Sequence, residues 1–84
     1  MTDPYTRTAI ANVHLRCERL LDAMQEALSV PLPCGMEDID LDRDRRFLER
    51  AAARPLHDIS AANALAFALD EIEATVEQVF EAAL

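Results

Sequence analysis

The sequence predicts an all-α fold, a compact three-helix bundle in the order long helix, proline-containing loop, short helix, long helix. A single Gly and four Pro among 84 residues leave few of the turns that an all-β fold requires. The apolar residues of the final third recur at spacings of three and four, which is typical of a helix that packs along its whole length. These residues are Ala62, Leu65, Leu69, Ile72, Val76, Val79 and Ala83. The length suits one helical domain over residues 1–84, with a small core.

The first helix is predicted over residues 4–29. Asp3 is placed to cap its N-terminus, and Pro4 fits the first helical position, where a missing N–H costs nothing. Pro31 and Pro33 cannot continue the helix, so the segment that follows is predicted as a loop.

The second and third helices are predicted over residues 41–53 and 60–83. Pro55 closes the second helix, and either Asp58 or Ser60 caps the third. The connection between them is short, so we expect the two helices to be antiparallel neighbours. The second helix is too short to cover both long ones along their full length. Either the loop or a second copy of the chain would then cover the rest of the apolar seam.

The charge of −8 argues against two classes of partner. A chain this acidic is repelled by nucleic acid and by anionic membrane surfaces, so we expect neither direct nucleic-acid binding nor membrane binding. No secretory leader and no apolar run of membrane-spanning length is evident, which predicts a cytoplasmic protein. Cys17 and Cys34 are then expected to be reduced thiols.

The sequence contains two patterns typical of metal sites, but neither is favoured, so we expect no cofactor and no metal. The acids between Asp38 and Glu49 follow an EF-hand pattern, but Arg43 stands where that loop needs Gly. These acids are better explained as the first turn of the second helix. The four His and Cys side chains match a zinc set in number, although their spacing is loose. They are His14, Cys17, Cys34 and His57, and the sequence leaves open whether they converge.

The second helix carries a stripe of arginines at spacings of three and four: Arg43, Arg46, Arg50 and Arg54. In an antiparallel pair Arg43 comes opposite Glu71, so we expect Arg43 and Arg46 to neutralise acids of the third helix. The acids expected to pair with them are Asp70, Glu71 and Glu73. The sequence leaves open whether the stripe is this internal ion-pair face or a contact surface.

The remaining acids are predicted to gather at one end of the bundle as a binding surface for a basic protein partner. Residues 31–42 carry a net charge of −4 and residues 55–84 carry −6, against +3 for residues 43–54. The proposed partner-binding residues are Asp22, Glu26, Glu37, Asp38, Asp40, Asp42, Glu77 and Glu81. Their carboxylates would take the place of phosphates on a nucleic-acid-handling protein.

The function predicted from this charge distribution is non-enzymatic inhibition, in which the chain occludes the basic surface of a nucleic-acid-handling protein or complex. By size and charge alone the chain resembles the anti-defence inhibitors of phages and mobile elements, anti-CRISPR proteins among them. No set of side chains predicts catalysis, so no catalytic residue is assigned. The alternative is a self-associating structural or regulatory module, a homodimer or an adaptor. Exposed Leu15 and the short second helix favour that alternative.

Overall fold

A computed structural model describes residues 3–31, 35 and 39–83, except the side chain of Ala83. The described residues include three α-helices. Helix α1 spans Pro4–Leu28, α2 spans Leu41–Ala53 and α3 spans Ile59–Ala83. The architecture is an all-α three-helix bundle, as the sequence predicts. Helix α1 ends one residue before its predicted end, and α3 begins one residue before its predicted start.

Each helix begins at an aspartate that accepts a hydrogen bond from a backbone N–H of the first turn. Asp3 accepts from Thr6 N at 2.7 Å, Asp40 from Arg43 N at 2.9 Å, and Asp58 from Ala61 N at 2.7 Å. Such caps satisfy backbone donors that no helical carbonyl can reach, typically stabilising a helix by about 1 kcal/mol. Asp58, rather than Ser60, therefore caps α3.

One apolar core joins the three helices. Met24 of α1, Leu48 of α2, and Leu69 and Val79 of α3 are fully buried, and all belong to one cluster. Val30 and Ile39, at either end of the loop, also pack against this cluster. Part of the seam that α2 is too short to reach is therefore covered by residues of the loop.

Helix α1 is the element against which both other helices pack. Its middle reaches α2, where Cys17 Sγ lies 3.4 Å from Leu48 O, and also reaches α3, where Arg16 Nη1 lies 3.4 Å from Ala66 O. Helices α2 and α3 lie side by side and antiparallel, but they face each other across an open groove. The long dimension of the molecule is 50 Å, against 19 and 18 Å for the other two.

Among the residues that the structure describes, no helix is both long enough and apolar enough to cross a membrane.

Candidate interaction surfaces

Two acids in the middle of α3, Asp70 and Glu73, are paired with an arginine of α1, whereas Glu71 forms no ion pair within the described residues. Arg16 Nη2 lies 2.9 Å from Glu73 Oε2, and the same nitrogen forms an ion pair with Asp70. These hydrogen bonds, first to Asp70 and then to Glu73, raise the pKa of the Arg16 guanidinium above its ordinary value. The hydrogen bonds of Arg16 therefore connect α1 to α3 beside the core.

The predicted pairing of Arg43 and Arg46 with the acids of α3 is wrong. Arg46 Nε pairs with Asp42 within α2, at 3.3 Å, and Arg43 Nε lies 3.8 Å from its neighbour Asp44. The register was predicted correctly, because Arg43 and Glu71 line the same part of the groove. Arg43 and Arg46 instead pair with acids of their own helix that lie within one turn of them.

Arg45, which lies outside the predicted stripe, forms the shortest ion pairs within α2. Its guanidinium contacts Asp42 Oδ1 at 2.6 Å and Glu49 Oε1 at 2.7 Å. The hydrogen bond from Arg45 lowers the pKa of Asp42, and Asp42 and Glu49 together raise the pKa of Arg45. The acids of α2 are therefore largely neutralised within their own helix.

The eight predicted partner-binding acids fall into three groups. Glu37 and Asp38 lie outside the described residues. Asp40 caps α2, and Asp42 accepts hydrogen bonds from Arg45, so both have roles inside the chain. The other four are exposed in the last two turns of α1 and α3. We call them the acidic end, which comprises Asp22, Glu26, Glu77 and Glu81.

No basic side chain of the described residues forms an ion pair with the acidic end. Neither α1 nor α3 has a basic residue in its last turn. Within each helix the two acids are four residues apart, which places like charges next to each other on the helix surface. The acidic end thus differs from the paired acids in the middle of the bundle.

The groove between α2 and α3 is a concave surface with a volume of about 920 Å³. Three alanines of α3 form one wall, and Phe47 and Ala51 of α2 form much of the other. The alanines are Ala61, Ala64 and Ala68. Sequence reasoning missed this groove, because the high helix propensity of alanine is enough to explain its presence at these positions.

Cationic side chains of α2 border the groove. Arg43, Arg50 and Arg54 all line it and are exposed. In the described part of the chain Arg50 and Arg54 form no ion pair. Half of the predicted arginine stripe therefore belongs to a surface and not to an internal ion-pair face.

The histidine and cysteine side chains do not form a metal site within the described residues, where no three His, Cys, Asp or Glu groups converge. Cys17 is fully buried, and burial, followed by the nearby Glu18 charge, raises the pKa of its thiol. His14 Nε2 is buried without a hydrogen-bond partner in the described structure. His57 is exposed beside the groove, and Cys34 lies outside the described residues.

The acids from Asp40 to Glu49 do not form an EF-hand loop, because residues Leu41–Ala53 are helical. A calcium loop needs an irregular backbone that turns its side chains and carbonyls around the ion. The first turn of α2 instead directs Asp42 to Arg45 and Arg46.

Comparison with protein-family models, with curated proteins and with solved structures gave no match.

Proposed function

We propose that this chain is a non-enzymatic binding protein that docks through its acidic end onto the basic surface of another protein. The observation that carries the proposal is the contrast between two sets of acids. Asp70, Glu73, Asp42 and Glu49 are paired with arginines, whereas the acidic end is exposed and has no ion pair in the described structure.

The positions of these acids support a role other than stability. The C-terminus of a helix carries a partial negative charge, and an acid in the last turn costs about 0.3–1 kcal/mol. Glu81 lies in the last turn of α3, and Glu77 lies one turn before it. Adjacent like charges add a few tenths of a kcal/mol more. A basic partner would offset both costs.

Both helices contribute to one end of the bundle in this proposal. Met24 and Ala27 in the last turns of α1, and Val76 and Val79 in the last turns of α3, belong to the same core cluster. The exposed acids of the two helices therefore lie near the same end of the bundle.

The partner class follows from the chemistry of the carboxylates. A cluster of carboxylates binds arginine and lysine through the charge-assisted hydrogen bonds that those side chains make to phosphate. A protein surface that binds a nucleic-acid backbone is therefore a fitting target, and occupying it would inhibit that protein. Such association is fast at low ionic strength and weakens as salt screens the charges.

The test is affinity capture with two baits that differ from the parent by the same charge. One bait carries Glu77→Gln and Glu81→Gln. The control carries Glu18→Gln and Glu49→Gln, two exposed acids outside both the acidic end and the groove between α2 and α3. We expect the parent and the control to retain a common basic protein at low salt, and the acidic-end variant to lose it.

Direct titration of the captured protein then measures how much the substitutions change the dissociation constant of the complex. Loss of two interfacial charges should weaken binding by about tenfold or more. The binding that remains should depend less on salt concentration than binding by the parent chain does. Equal capture by the two variants would contradict the proposal, as would binding that is unaffected by salt.

A further inference from the structure

We propose that the groove between α2 and α3 is a self-association surface, in which Phe67 of a second copy of this chain occupies the groove of the first. This inference does not rest on the proposed function, because none of the four residues of the acidic end lines the groove.

The groove has the apolar floor that such a contact requires. Ala61, Ala64 and Ala68 keep the α3 wall shallow, and Leu65 and Phe47 supply larger apolar surfaces. A wall of alanines leaves room for a large side chain from outside, and burying such a side chain favours association because it removes apolar surface from water.

Phe67 is the side chain that fits this role. It is 69% exposed, and it does not line the groove of its own chain. It follows Ala64 by three residues and precedes Ala68, so it projects from the outer border of the groove. Each chain thus carries an apolar projection beside an apolar depression, the arrangement needed for a symmetric contact.

The two borders of the groove carry opposite charges. On the α2 side three arginines outnumber one acid: Arg43, Arg50 and Arg54 against Asp44. On the α3 side the charged groups are Asp58 at the N-terminus and Glu71 in the middle of the helix. A second copy is therefore attracted in one orientation and repelled in another.

Charge complementarity selects a twofold axis that runs along the groove. Rotation about that axis lays α3 of each copy into the groove of the other, beside the partner's α2, so that the basic border meets the acidic border. A twofold axis across the groove would instead lay α2 over α2, bringing arginine against arginine. The geometry favours the first arrangement.

The register along the groove supports the same axis. A rotation about an axis along the groove leaves every residue at its own height. Arg43 and Glu71 line the groove at one height, so Arg43 would lie opposite the partner's Glu71. Arg54 and Asp58 line it at the other end, so Arg54 would lie opposite the partner's Asp58.

The first experiment measures mass by sedimentation equilibrium of the full chain over a range of concentrations. We expect a species of twice the 9.4 kDa chain mass. Phe67→Glu should raise the dissociation constant of the dimer by about 100-fold or more, because the substitution acts twice in a symmetric contact. Tyr5→Glu is the matched control, since Tyr5 is 76% exposed on α1, away from the groove, and should leave the dimer unchanged.

A charge exchange tests the orientation and does not depend on Phe67. Arg43→Glu and Glu71→Arg should each weaken the dimer by about tenfold, and the double variant should restore it to within about threefold of the parent. Circular dichroism of each variant establishes that the helices are retained.

Three results would overturn the proposal. A parent chain that stays monomeric at millimolar concentration would leave the groove to a segment of another protein. Full dimerisation of Phe67→Glu would place the contact elsewhere. Failure of the double charge variant to recover would exclude the twofold axis along the groove.

Discussion

Arg16 on α1 holds Glu73 on α3 with two guanidinium nitrogens, at 2.9 Å for Nη2 and 3.3 Å for Nε. Arg16 also pairs with Asp70, so one cation neutralises two acids of α3. The contact lies beside the core and joins residues 57 positions apart in the chain. It is therefore a tertiary contact that links the two long helices.

Replacement of Arg16 should destabilise the bundle moderately. We expect Arg16→Met to lower the free energy of unfolding by about 1 kcal/mol, because a half-exposed ion pair contributes little and Asp70 and Glu73 would then repel each other. Urea unfolding measures the change. Arg19→Met is the control, since Arg19 is exposed on the same helix and should change stability by less than about 0.5 kcal/mol. Equal effects of the two substitutions would contradict the role assigned to Arg16.

Stability should fall in acid, in part through Asp42. The hydrogen bond from Arg45 lowers the pKa of Asp42 in the folded chain, so its contribution is present above the ordinary carboxyl pKa and is lost as pH falls through the lowered value. Asp42→Asn should therefore be less stable than the parent at pH 7, and the difference should shrink as pH falls below the ordinary aspartate pKa of about 3.9. Urea unfolding across this range checks the trend, which a difference independent of pH would contradict.

Cys17 should be unreactive in the folded protein. Its side chain is fully buried and its pKa is raised, so little thiolate is available to a reagent at pH 8. In a Cys34→Ser variant, which leaves Cys17 as the sole thiol, labelling by an aromatic disulfide should be at least about 100-fold slower than in the chain unfolded by urea. Comparable rates in the two states would show that the core around Cys17 opens readily.

Much of the fold follows from local patterns that the sequence displays directly. Asp3 and Pro4 mark the start of α1, and Pro55 separates α2 from α3, because caps and prolines act within a few residues. The spacing of Leu69, Ile72 and Val76 identifies the buried side of α3 for the same reason.

The surfaces were harder to predict, because they depend on distances between helices. The arginines of α2 were expected to reach α3, yet the open groove leaves Arg46 with Asp42 and leaves Arg16 of α1 to pair with Glu73. Nothing in the spacing of Ala61, Ala64 and Ala68 indicates how far away the facing helix lies. The opposition of Arg43 and Glu71 was predictable, since it needs only the antiparallel register.

The central claim is that the acidic end serves binding and not folding. The most direct measurement is urea unfolding of the free chain carrying Glu77→Gln and Glu81→Gln. We predict that the double variant is more stable than the parent by about 0.5–1.5 kcal/mol at low salt, because it relieves like-charge repulsion and the unfavourable helix-end charge. The gain should vanish at high salt. A loss of stability would contradict the claim, because it would mean that these two carboxylates help to hold the fold together.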